Sequence, residues 1–130
     1  MELMIYASPL NAAGQLLLKT LCPPEKSLRL DICPSLAALE ARLRKPIGRI
    51  RIGILLPANR RELAALNRLR HLLRDMRLIL ILPNTQPQTV SEGHALRPRF
   101  IGYIDDDPQD VAAVVHKMTA ARSRPVSMAL

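Results

Sequence analysis

The run Leu78-Ile79-Leu80-Ile81-Leu82, together with Ile50-Arg51-Ile52-Gly53-Ile54-Leu55-Leu56 ahead of it, decides the fold. A strand with one wet face alternates apolar and polar residues, whereas a strand covered on both faces reads as a continuous apolar run. Leu78 to Leu82 and, within the second stretch, Ile52 to Leu56 are continuous, and both are too short for a buried helix. They therefore predict central strands of a parallel sheet with helices packed on either side. Working outward, similar short runs recur at Leu3 to Ala7, Leu28 to Ile32 and Phe100 to Ile104, which makes five expected strands.

Helical signals lie between them. Ser8-Pro9 offers an N-cap followed by proline at the first helical position, with Leu10, Leu17 and Leu21 behind it and Pro23-Pro24 as the stop. Pro34-Ser35 opens a second helix carrying Leu36, Leu39 and Leu43, which closes at Pro46-Ile47-Gly48. Asn59 and Glu62 have capping-box spacing and start a third, expected to be the longest, through Leu63, Leu66, Leu69 and Leu73. From Gln86 to Leu96 the helix signal is weakened by Pro87, Ser91 and Gly93. Asp107-Pro108-Gln109-Asp110 begins the last helix, whose stripe is Val111, Val114, Val115 and Met118.

Strands alternating with helices need right-handed crossovers, and these place helices on both faces of the sheet. The expected architecture is a doubly wound α/β sandwich of three layers. Residues 1–122 form one domain and 123–130 a tail, in keeping with a chain of 130 residues.

Composition narrows the function. Nineteen Lys and Arg against eleven Asp and Glu leave a net charge of +8, which raises acidic partners and nucleic acid as possibilities. Aromatic residues are only 2%, so the stacking platforms that hold single-stranded nucleic acid are missing. Cys22 and Cys33 fit neither a disulfide framework nor a zinc spacing, which suits a reducing cytoplasm. Met1-Glu2-Leu3 does not open a secretory leader, and apolar runs such as Leu78 to Leu82 fall far short of the roughly 20 residues of a membrane span. Neither GxGxxG nor GxxxxGK[ST] occurs, so nucleotide and flavin phosphates have no Gly-rich loop. No cofactor is expected.

In a sheet of this kind ligands bind beyond the carboxyl ends of the strands, where the winding reverses. The residues there are Tyr6-Ala7-Ser8-Pro9, Cys33-Pro34, Pro57-Ala58-Asn59, Pro83-Asn84-Thr85 and Asp105-Asp106-Asp107. Over residues 1 to 121 the element order, Pro9-Leu10 after strand one and Gly102-Tyr103-Ile104 in strand five resemble the response-regulator receiver domain. The resemblance implies a flavodoxin-like sheet of order 2-1-3-4-5. It also implies a phosphoacceptor Asp after strand three and an acid pair after strand one that helps hold Mg²⁺, a hard ion that demands oxygen ligands.

The matching positions here are different. Tyr6, Ala7 and Ser8 stand at the acid pair and Pro57 at the phosphoacceptor. Pro83 or Asn84 replaces the usual Ser/Thr, and Asp106 or a neighbour replaces the usual Lys. Realigning Thr85 restores one part of four. The expectation is a pseudo-receiver: not an enzyme, working through protein contacts in bacterial signalling.

Other chemistry is thinly supported. Asp105, Asp106 and Asp107 read as helix capping rather than as a metal site, since consecutive side chains diverge. His71, His94 and His116 have no nucleophile at a useful spacing. Cys33 does not stand in a phosphate-cradling loop after strand one, where the phosphocysteine subunits of sugar transport systems carry theirs. The rival reading, a small enzyme or carrier, has only Cys33, Asn59, Asn84 and Asp106 to work with.

Two surfaces remain. The resemblance points to the last helix pair and strand five for dimerisation or partner docking, here Arg97, Arg99, Tyr103, Val111 and His116. Separately, Arg70, Arg74 and Arg77, and Arg61 with Arg68, have spacings that let each set share a helix face. That basic face reads first as ordinary solvated surface, next as a dock for an acidic protein, and last as a weak nucleic-acid surface.

Overall fold

The computed structural model describes residues 2–8, 11–21, 29–45 and 52–123. Its strands are β1 (Glu2–Ala7), β2 (Arg29–Cys33), β3 (Ile52–Leu56), β4 (Arg77–Leu82) and β5 (Phe100–Tyr103). The helices are α1 (Ala12–Leu21), α2 (Leu36–Leu43), α3 (Arg60–Arg68), α4 (Arg70–Leu73), α5 (Pro87–Ala95) and α6 (Pro108–Ser123). The strands form one parallel sheet of order β2-β1-β3-β4-β5, as expected.

The two apolar runs occupy the middle of the sheet, and alternate side chains feed two cores. Met4, Tyr6, Leu55, Leu78, Leu80 and Leu82 face Leu39, Leu43, Leu63, Leu66 and Leu73 of the helices on one side. Leu3, Ile5, Ile52, Ile54, Leu56, Ile79 and Ile81 face Leu17 of α1 and Val111 and Val115 of α6 on the other. Full burial of a leucine or isoleucine contributes about 1.5–3 kcal/mol, so these runs are the largest stabilising block of the fold.

Five details differ from the expectation. Helix α1 begins at Ala12, and its cap is Asn11, not Ser8: Asn11 Oδ1 accepts the Gly14 N–H at 3.0 Å, while the Ser8 carbonyl accepts the Asn11 N–H at 3.0 Å in the turn before it. Pro9 and Leu10 lie outside the described residues. Strand β2 reaches Cys33, because Cys33 pairs with Tyr6 in the ladder, and Leu28 lies outside the described residues.

The helix expected to run unbroken through Leu73 stops at Arg68 and restarts at Arg70, so α6, not this helix, is the longest described. Asn67 supplies the reason. Its Nδ2 donates to the Leu63 carbonyl at 3.3 Å and to the Glu92 carbonyl at 3.0 Å, competing with the backbone ladder at the point of the break. The backbone then tightens, with Leu69 N–H on Leu66 O and Leu72 N–H on Leu69 O.

Finally, α6 extends to Ser123, and residues 124–130 of the expected tail lie outside the described residues. The weak helix of Gln86 to Leu96 is a full helix, α5, with proline at its N-terminal end. Gly93 belongs in it because a Cβ there meets Leu80 Cδ2 and Leu82 Cδ2, each at 3.1 Å: the helix lies close on β4.

Candidate functional site

The sheet order reverses between β1 and β3, so the crevice lies beyond Ala7 and Leu56. Three local arrangements occupy it. Tyr6, whose side chain is buried, donates its hydroxyl to Glu62 Oε1 at 2.7 Å, and the Ala58 N–H donates to the same oxygen at 2.9 Å. Glu62 itself is positioned by its backbone, whose N–H is capped by Asn59 Oδ1 at 2.9 Å. Burial, and then the Glu62 carboxylate accepting its hydroxyl and standing beside it, push the Tyr6 phenol well above its ordinary range. Pro57 is buried at the end of β3. Asn11 spans from α1 to β3, its Nδ2 donating to the Leu56 carbonyl at 3.3 Å.

The four polar residues available to an enzyme or carrier each have a local structural role. Asn59 caps α3. Asn84 Oδ1 accepts the Gln86 N–H at 3.0 Å in the turn before α5. Asp106 Oδ2 accepts the Tyr103 N–H at 2.8 Å and closes the turn after β5. Cys33 is 3% exposed, and burial, aided by nearby Asp31 and opposed by Arg42, pushes its thiol up, away from the reactive thiolate. Asp107 caps α6 through the Gln109 N–H at 2.9 Å, as its place in the sequence suggests. Among the described residues no three His, Cys, Asp or Glu side chains gather as a metal site.

Asn11 is the crevice residue that the sequence does not single out, while Tyr6 stands out there only as a non-acid at the end of strand one and Glu62 only as half of a capping box. Asn59 and Glu62 carried a signal as a capping box, but the carboxylate reaches Ala58 and Tyr6 instead of the N–H of the capping residue. Nothing in the spacing shows that the hydroxyl from β1 meets it.

The docking residues do not converge. Val111 is buried at 2% in the core beneath α6, so it presents nothing to a partner, contrary to expectation. The stripe of which it is part points inward. Tyr103 is half-buried and packs on the core of the opposite side of the sheet, and His116 is half-buried on α6. Arg99 is exposed at an open groove of about 340 Å³ along the β5 edge, whose apolar floor is Phe100, Val114 and Met118 and whose rim is Arg77, Arg99 and Lys117.

The basic face also divides. Arg77 joins that groove, whereas Arg70 and Arg74 line an open depression of about 640 Å³ with Arg97. Arg61 and Arg68 are exposed on α3 and line neither. Elsewhere arginines are paired: Arg42 with Asp31, Arg44 with Glu40 at 2.8 Å, and Arg60 with Glu92 at 2.9 Å. The guanidinium groups of Arg61, Arg68, Arg70, Arg74, Arg77, Arg97 and Arg99 have no ion pair or hydrogen bond among the described residues.

Solved structures with this arrangement come from different sources. A CheY-like receiver domain from Methanospirillum hungatei superposes with a TM-score of 0.67 at 9% identity, covering 94% of this chain and 95% of its own. The chain has the receiver fold. A pilus assembly-related protein from Burkholderia pseudomallei, so described provisionally, matches at TM-score 0.65 and 15% identity over 92% of this chain and 90% of that one. A provisionally described CpaE2 pilus assembly protein from Sinorhizobium meliloti matches at 0.64 and 11% over 90% and 98%. No family model and no curated protein matches the sequence. Tyr6, Ala7, Ser8 and Pro57 stand at the strand ends where the resemblance to receivers leads one to expect carboxylates, and Asp106 stands where it leads one to expect a lysine. No described helix is long and apolar enough to cross a membrane.

Proposed function

We propose that this protein is a receiver-fold interaction module that works without accepting a phosphoryl group, in bacterial signalling or regulation. The observation that carries the reading is the occupied crevice. A phosphoacceptor site needs an ionised nucleophile and a cluster of carboxylates open to Mg²⁺. At the corresponding place Glu62 is engaged by Tyr6 and Ala58, Pro57 closes the end of β3, and Asp106 is used by a turn. A small-molecule enzyme at the same crevice is disfavoured on the same grounds.

The surface best suited to a partner is the β5–α6 groove. Its apolar floor of Phe100, Val114 and Met118 supplies contact area, and Arg77, Arg99 and Lys117 favour an acidic segment around it. The buried thiol of Cys33 suits a reducing compartment, so the reading places the protein in the cytoplasm.

Amide NMR with beryllofluoride and Mg²⁺ tests the central claim. The expected result is no saturable shift at the amides of residues 6–8, 58–59 or 105–107. Shifts that saturate there at stoichiometric beryllofluoride would overturn it.

A further inference from the structure

The depression between α4 and α5 lies at the amino-terminal edge of the sheet, just ahead of β4 and β5 and opposite the crevice. Arg70 and Arg74 enter it from the α4 side, Arg97 from the end of α5, and His71 and His94 complete its polar wall. Leu73, Met76 and Leu96 form a buried apolar floor. Three guanidinium groups with no ion pair among the described residues face one concavity, and each carries planar N–H donors suited to phosphate.

A second observation concerns Arg97. Its backbone has φ 54°, a left-handed conformation ordinarily left to glycine at the end of a helix, and it is the one such non-glycine residue among those described. The Arg97 N–H bonds the His94 carbonyl at 2.9 Å, so the strained residue is held by the helix end it terminates. Glycine would end α5 with less strain but would remove a cation from the depression. A strained residue whose side chain completes a charged concavity is the pattern of a binding site.

We propose that this depression binds a compact, multiply charged phosphate group of a small molecule, with Arg70, Arg74 and Arg97 as its ligands. The helix ends beside it account for one cation at most, since the partial charge of a helix C-terminus fades within a turn. An extended acidic peptide fits less well, because the three arginines surround a hollow instead of following a line. The β5–α6 groove is a separate place, and this inference does not depend on it.

The probe is inorganic triphosphate, titrated into the whole protein at 150 mM salt and followed by amide NMR. The expected result is saturable shifts at residues 70–76 and 94–97. Arg74→Ala and Arg97→Gly should each weaken binding about tenfold, the effect of losing one charge-assisted contact. Arg97→Gly keeps its diagnostic value because glycine suits the backbone there, so weaker binding cannot be laid to misfolding. ATP binding more tightly than triphosphate at the same amides supports a nucleotide-like source with its organic part on the apolar floor. Equal affinity supports recognition of the phosphate chain alone. Hexaglutamate binding as tightly as triphosphate would overturn the proposal in favour of an acidic-protein surface. So would shifts spread equally to Arg61 and Arg68, or triphosphate affinity unchanged by both substitutions.

Discussion

Replacing Tyr6 by phenylalanine separates a structural tie from a reactive site. The ring stays, packed in the core, and only the hydroxyl bonded to Glu62 at 2.7 Å is lost. A hydrogen bond to a charged group contributes about 1.5–3 kcal/mol. Glu62 keeps its bond from the Ala58 N–H, so the lower end applies, about 1.5 kcal/mol, or a fall of about 6 °C in Tm for a chain of this size. The effect depends on pH with a definite sign. The folded state raises the Tyr6 pKa, so it holds the phenol proton more tightly than the unfolded chain does. Its contribution is therefore complete below the unfolded pKa of about 10 and is lost as pH rises above it, by at most about 1.4 kcal/mol per pH unit. The buried Cys33 thiol, also raised, adds an earlier loss starting near pH 9, but both proteins share it. Urea denaturation of the two proteins from pH 7 to pH 11 isolates the tyrosine: the gap between their midpoints should be constant to about pH 10 and then close. Glu62→Gln keeps an acceptor for the hydroxyl and should cost less than removing the hydroxyl. Equal midpoints at pH 7, or a gap that does not close at high pH, would refute the claim that Tyr6 and Glu62 clamp the crevice.

Three further outcomes follow from the same geometry. Asn11→Ala removes both the cap of α1 and its bond to Leu56, and should lower unfolding free energy by about 1–2 kcal/mol in the same denaturation assay. Gly93→Val drives new methyl groups into Leu80 and Leu82 and should cost about 1–3 kcal/mol, measured by thermal melting with a crystal structure to show α5 displaced from β4. Arg97→Gly should act in the opposite direction and raise stability by about 1 kcal/mol, read from the urea midpoint.

The fold was legible because burial on both faces leaves a pattern in every strand. Leu78 to Leu82 has no polar interruption, and from that the parallel sheet and its covering helices follow. The helix interruption at Leu69 was not legible, since it depends on Asn67 reaching Glu92, twenty-five positions away on another helix. Val111 shows the same limit from the other side. An apolar residue at helical spacing belongs to the core whenever the helix lies on the sheet, and the likeness to receivers placed it on a docking face instead. The candidate site was half legible. The lack of carboxylates after β1 and β3 is plain in the sequence, while the meeting of Arg97 with Arg70 and Arg74 depends on how α5 turns into β5.

The distribution of charge ties these surfaces together. Asp31, Glu40 and Glu92 each neutralise an arginine, while Glu62, Asp106 and Asp107 are engaged by backbone N–H groups and Tyr6. These six acids thus serve caps, turns and three ion pairs. Of the arginines without an ion pair among the described residues, Arg70, Arg74 and Arg97 line the depression at the opposite edge of the sheet and Arg77 and Arg99 the β5 groove, while Arg61 and Arg68 stand on α3. A receiver fold that bound Mg²⁺ and phosphate would concentrate negative charge at its strand ends. In this chain hydrogen bonds engage Glu62, Asp106 and Asp107 at that end, and the depression and the groove are lined by arginines without an ion pair among the described residues. Any partner drawn by these arginines is anionic, and its association rate falls as salt shortens the screening length toward about 8 Å at physiological ionic strength. An anion bound in the concave depression resists that screening better than one on the exposed Arg61 and Arg68 face, because the surrounding protein excludes part of the solvent there.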